Sequence, residues 1–113
     1  MKDPRIYVIH IRDCLSRIRD YTADGKDSFF SDTKTQDAVI RNLETMADAT
    51  QNLPEAWKAT CPEIDWRSVA GFRNVLAHQY LDINLNLVWN IVENQLPVLS
   101  QAIEAIAAEF WNQ

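Results

Sequence analysis

Glycine and proline are scarce, two and four residues in a chain of 113. Hairpins rest on turns rich in both, so an all-β architecture is excluded from the outset. Long apolar runs are missing as well, and none approaches the roughly 20 residues that cross a bilayer. The opening stretch "MKDPRIYVIHIRD" is charged and broken by acids. That excludes a secretory signal and predicts a cytoplasmic protein with no membrane attachment. Cysteine is confined to Cys14 and Cys61, and histidine to His10 and His78. No C-x-x-C or H-x-x-x-H pair occurs, whereas structural zinc takes about four such ligands. No metal and no cofactor are expected, and the thiols read as buried and free rather than as a disulfide.

Positive charge is absent from the last third of the chain. Every lysine and arginine lies at or before Arg73, and beyond it stand only Asp82, Glu93, Glu104 and Glu109. The net charge of −5 excludes general affinity for nucleic acid, which needs phosphates neutralised by basic side chains. Any anionic substrate must be met by the first two-thirds of the sequence. What remains, 47% hydrophobic and 24% charged, is the composition of an ordinary globular protein, and the length suits one domain over residues 1–113.

The apolar periodicity is helical. Asp3-Pro4 predicts a cap and first-turn proline for a helix reaching about Tyr21, with Tyr7, Ile11, Cys14, Ile18 and Tyr21 as its inner stripe, widened by Val8 and Leu15. The segment "TADGKDSFFSD" reads as a connection. Asp32 or Ser31 then caps a second helix to about Asn52, burying Val39, Ile40, Leu43, Met46, Ala47 and Leu53. Pro54 opens a short turn, "PEAWKAT", closed by Cys61-Pro62. Asp65 caps a further helix from Trp66 to about Tyr80. From Leu85 the stripe Leu85, Val88 or Trp89, Val92, Leu96, Leu99, Ile103, Ile106 and Phe110 stays in phase across Pro97, which predicts a kink or brief break near residues 93–96. Phe110 and Trp111 are expected to close the end of the molecule. The fold class is all-α: an up-and-down bundle of four main helices with short extras.

One stretch, "GFRNVLAHQY", sets Arg73, His78 and Tyr80 inside an apolar run. Arg73 and His78 differ by roughly 140° around a helix, while Tyr80 returns to the stripe of Arg73 and Asn74 shares that of His78. Two polar stripes flank a seam, and a second copy of the chain could supply its other wall. The set suits phosphoryl transfer without a metal: a permanently charged guanidinium for the phosphorus transition state, and an imidazole for proton transfer. Taken singly, the same residues read as an ion pair with Asp65 or Asp82, a helix-end histidine and a rim tyrosine.

"RNVLAHQY" matches R-x-x-x-x-H-x-Y and resembles the signature of the HepT toxins of the HEPN ribonuclease superfamily. The blocks "TQDAVIRNLETM", "LPEAW", "DWRSVAGFRNVLAHQY" and "VWNIVENQLPVL" are similar to HepT segments in the same order, and together they span most of the chain. The resemblance implies a HEPN-like bundle and a metal-independent endoribonuclease, the toxin of a type VII pair. It further implies a cognate minimal nucleotidyltransferase antitoxin of the MntA kind and a homodimer. By position, it makes Arg73 and His78 the catalytic pair, Asn74 a supporting residue, and Tyr80 the acceptor of AMP from the antitoxin.

A non-catalytic bundle that docks a nucleotidyltransferase and presents Tyr80 as its substrate needs the same fold and the same tyrosine. Both readings stand at this level. Arg41 and Lys34, seven residues apart on the second helix, are candidate RNA contacts. Arg5, Arg12 and Arg19 repeat that spacing on the first helix, where a solvated face with an Asp13–Arg17 pair is the simpler account.

Overall fold

The structure, a computed structural model, describes residues 3–77 and 84–110, with side chains except those of residues 73–77. Regular structure among the described residues is entirely helical, as the periodicity predicts. The elements are α1 (Arg5–Tyr21), α2 (Lys26–Ser31), α3 (Thr33–Gln51), α4 (Glu55–Lys58), α5 (Trp66–Ala77), α6 (Leu85–Asn90), a π-helical stretch (Ile91–Gln95) and α7 (Leu96–Phe110). Helix α3 is central and packs against both α1 and α5, while α7 lies along α1.

A short polar side chain sets the start of α1, α3, α5 and α6. The Asp3 carboxylate accepts the Arg5 N–H at 3.0 Å, with Pro4 rather than Asp3 in the capping position. Asp32 caps α3, taking the Lys34 N–H at 3.0 Å and the Thr35 hydroxyl at 2.9 Å. Asp65 accepts the Ser68 N–H at 3.1 Å at the head of α5, and Asn84 accepts the Leu87 N–H at 3.2 Å at the head of α6. These bonds satisfy amide donors that a helix cannot satisfy itself.

The inner faces largely follow the expected stripes. Val8, Ile11, Cys14, Leu15 and Ile18 are buried on α1, and Val39, Ile40, Leu43, Met46 and Ala47 on α3, with Leu53 just beyond. Tyr21 departs from its stripe and is exposed. The helix ends beside it, where the Thr22 hydroxyl donates to the Ile18 carbonyl at 2.8 Å.

Residues 26–31, expected as connection, form α2. Gly25 precedes it at φ +93°, a left-handed conformation that a side chain would strain. Phe29 of α2 is fully buried, edge-on to Phe30 and with its ring centroid 5.4 Å from that of Trp89. The Gln36 amide of α3 donates back to the Phe29 and Phe30 carbonyls at 3.0 and 3.2 Å, closing the end of α2.

The kink expected before Pro97 takes the form of a π-helical turn. The Leu96 N–H reaches the Ile91 carbonyl, five residues back. Proline has no N–H to give and its ring crowds the carbonyl four residues earlier; a wider turn absorbs both. Val88 before the turn, Ile91 at its first position, and Leu96, Leu99, Ala102, Ile103 and Ile106 after it are all buried in one core. At the far end Phe110 stacks on Trp57, centroids 5.0 Å apart and planes within 10°.

Candidate functional site

The backbone of α5 carries the first half of the Arg73–Tyr80 motif. Its inner face is fixed by Val69 and Phe72, both buried, and its start by the Asp65 cap. Arg73 and Asn74 therefore lie in the last half of a regular, capped helix packed on α3. His78 and Tyr80 lie outside the described residues, so their roles rest on the sequence.

Two depressions flank α5. One, about 240 Å³, lies between Ser68, Val69 and Phe72 and the residues around the π turn, Asn94, Gln95 and Leu96, with Glu63 and Asp65 contributing carboxylates. The other is an open groove of about 510 Å³ bounded by Gln51, Glu55 and Lys58 on one side and Arg67, Ala70 and Gly71 on the other. The second is the one that aligns with the motif: Arg67 precedes Asn74 by seven residues, about 20° apart around the helix. Arg67 was not among the residues singled out from sequence, although this register would have found it.

The candidate cations divide by partner. Arg5 is held by Asp3, with Nη2 to Oδ2 at 2.6 Å. Arg12 forms a fork with Glu104 across α1 and α7, through Nε at 2.6 Å and Nη2 at 2.8 Å. Two of the three arginines spaced by sevens on α1 are thus occupied by carboxylates, which removes the simplest basis for an RNA-guiding stripe there. The Asp13–Arg17 pair is not formed. Lys58 pairs with Glu55 at 3.2 Å, its side chain largely covered. Lys34 is exposed in the first turn of α3 beside Asp32. The Thr35 hydroxyl, with the adjacent amides and the Lys34 charge, holds the Asp32 carboxyl below its ordinary range. Arg41 is exposed on α3, and neither it nor Arg67 has an ion pair among the described residues.

The thiols have no place in this arrangement. Cys14 and Cys61 are free and buried, and burial pushes both thiols up. Cys61 Sγ lies 3.6 Å from the Ala102 carbonyl, which it faces as a donor. Among the described residues no three of His, Cys, Asp and Glu gather as a ligand set for a metal ion. No described helix is long and apolar enough to cross a membrane.

Comparison with known proteins bears on this helix and its surroundings. A family described as "Ribonuclease HepT-like" matches residues 11–106, a span that contains α3, α5 and the whole motif. A candidate RNase of Methanocaldococcus jannaschii is 40% identical over 106 residues, 93% of this chain and 88% of its own. "Probable ribonuclease HepT" of Thermococcus cleftensis is 34% identical over 101 residues, 88% and 92% of the two chains. "mRNA nuclease HepT" of Shewanella oneidensis is 28% identical over 123 aligned positions, again 88% and 92%. No solved structure matches the chain.

Proposed function

Because the chain belongs to the HepT-like ribonuclease family, we propose that it is a metal-independent endoribonuclease in which Arg73 and His78 cut RNA. In this reading it is the toxin of a pair whose antitoxin is a minimal nucleotidyltransferase. The observation that carries the reading is the run Arg73-x-x-x-x-His78-x-Tyr80 opening on a capped, packed helix within the family-matched residues.

RNA supplies its own nucleophile. The ribose 2′-oxygen attacks phosphorus while His78, neutral in one copy, accepts the 2′-hydroxyl proton. The bond from phosphorus to the 5′-oxygen breaks, and the leaving oxygen takes a proton from an imidazolium. The products are a 2′,3′-cyclic phosphate, or the phosphomonoester that water makes from it, and a free 5′-hydroxyl. Arg73 neutralises the charge gathered on the five-coordinate phosphorus. Asn74, on the stripe of His78, orients the ring through its amide. The 140° between Arg73 and His78 suits a seam closed by a second copy, hence a homodimer.

Tyr80 is the control point. Its phenolate oxygen would attack the α-phosphorus of ATP held by the antitoxin, forming a phenolic phosphodiester to AMP and releasing pyrophosphate. The attached anion would then occupy the Arg73 cation that must meet substrate. Regulation by covalent charge and catalysis by the same arginine are one device.

The test is expression without the partner, followed by cleavage with purified protein and end-group analysis, comparing wild type with Arg73→Ala and His78→Ala. Cleavage that survives EDTA, leaves cyclic-phosphate ends and vanishes in both variants is expected. Equal behaviour of all three proteins would instead identify a docking subunit that serves only as substrate for the nucleotidyltransferase.

A further inference from the structure

We infer that the open groove between α4 and α5, with Arg67 as its phosphate contact, carries the single-stranded RNA backbone towards Asn74 of the motif. This rests on the ribonuclease reading above and extends it to a residue outside the motif.

Three observations converge on Arg67. It is exposed on α5, and no carboxylate among the described residues pairs with it. The nearby acids are already committed: Glu55 to the Lys58 ammonium at 3.2 Å, and Asp65 to the Ser68 N–H at 3.1 Å. The guanidinium thus stands beside a groove of about 510 Å³ with its charge unmatched, in a protein whose net charge is −5. Register supplies the direction. Arg67 and Asn74 lie on one stripe, about 10 Å apart along the axis, so a strand lying in the groove runs up to the beginning of the motif.

The shape of the groove admits a backbone rather than a base pocket. Its α5 wall carries only the small residues Ala70 and Gly71 beyond Arg67, and the position of a Cβ at Gly71 has open space on every side. The other wall is made by Gln51 with the paired Glu55 and Lys58, and Gln51 offers an amide to a ribose hydroxyl or a phosphate oxygen. A fork of guanidinium donors beside an open channel is how proteins grip phosphates without reading sequence. Arg67 is therefore an RNA-contacting residue that holds the strand on one side of the cut.

The experiment uses the full chain and a labelled single-stranded RNA of mixed sequence, with wild type, Arg67→Ala, Arg67→Glu, Arg67→Lys, and Arg17→Glu as a control for net charge. Arg67→Glu should raise KM roughly tenfold, the loss expected for a charge-assisted hydrogen bond, with kcat held. Arg67→Ala should flatten the slope of log affinity against log salt by about 0.7, the value for one phosphate on a single strand. Lysine should restore much of the affinity, and Arg17→Glu should match wild type. The inference is overturned if Arg67→Glu cleaves like wild type at every salt concentration while Arg73→Ala is inactive. It is equally overturned if Arg67→Glu keeps RNA affinity but changes the mass of the assembly, which would make the groove a protein interface. If wild-type protein neither cleaves nor binds RNA, the ribonuclease reading fails and takes this inference with it.

Discussion

Arg12 and Glu104 meet as a fork across α1 and α7, with two N–H···O bonds of 2.6 and 2.8 Å. The guanidinium is 39% exposed and the carboxylate 56%, so solvent screens most of the attraction. Arg12→Met or Glu104→Gln should therefore cost less than about 1 kcal/mol in urea unfolding. Because Arg12 is engaged here, neither change should alter the salt dependence of RNA cleavage. A cleavage defect confined to Arg12→Met would return this arginine to the substrate path.

Phe29 tests whether α2 belongs to the core. Its ring is fully buried against Phe30 and Trp89, and its removal leaves a cavity among them. Phe29→Ala should destabilise the protein by about 3–5 kcal/mol and shift tryptophan fluorescence through Trp89. A change of a few tenths of a kcal/mol would return residues 26–31 to the status of a connection.

Acid should act on the cap of α3. The folded-state pKa of Asp32 is depressed, first by the Thr35 hydroxyl and then by backbone donors and Lys34. Its contribution is present above the ordinary carboxylate pKa of about 3.9 and is lost as pH falls through the lower folded value. Asp32→Ala should lower the thermal midpoint at neutral pH, and the gap from wild type should close in strong acid. Asp32→Asn, which keeps an accepting oxygen, should fall between the two.

Alkali should act on the thiols. Burial raises Cys14 first and foremost, and Cys61 likewise, so the folded state resists forming thiolate. Stability is intact below the unfolded thiol pKa of about 8.5 and declines as pH rises beyond it. A thiol reagent at pH 8 should label neither cysteine in the folded protein and both after denaturation. Rapid labelling of the native protein would contradict the burial of Cys14.

For the reaction itself, His78→Ala should lower cleavage by about 10²–10⁴-fold, the usual share of a general acid–base group. Arg41→Glu should weaken cleavage most at low salt and least at high salt. Rates that are unchanged across salt concentrations would remove Arg41 from the substrate path.

Much of the fold was legible because long amphipathic helices repeat their pattern over several turns. On α3 and just beyond it, the six apolar positions from Val39 to Leu53 that should be buried are buried. Shorter elements escaped. Six residues give α2 fewer than two turns, too little for a 3.6-residue period to emerge, and adjacent phenylalanines obscure it further. Tyr21 fits its stripe in phase yet is the last residue of α1, beside the Thr22 cap, and phase carries no information about ends. Pro97 announced a disturbance, but whether a helix answers proline by bending or by widening depends on which core residues must stay in register. The motif on α5 was visible as a string of residue types. Arg67 was legible only as a residue seven positions before Asn74; its meaning comes from the groove beside it, and grooves are made by elements distant in sequence.

The stack of Phe110 on Trp57 ties the final turn of α7 to the four-residue helix α4. A helix of that length has no independent stability, so Lys58 keeps its station through an aromatic latch supplied some fifty positions later. Shortening α7 by a single turn should therefore be felt first as a loosened channel wall beside Arg67, well before the bundle melts.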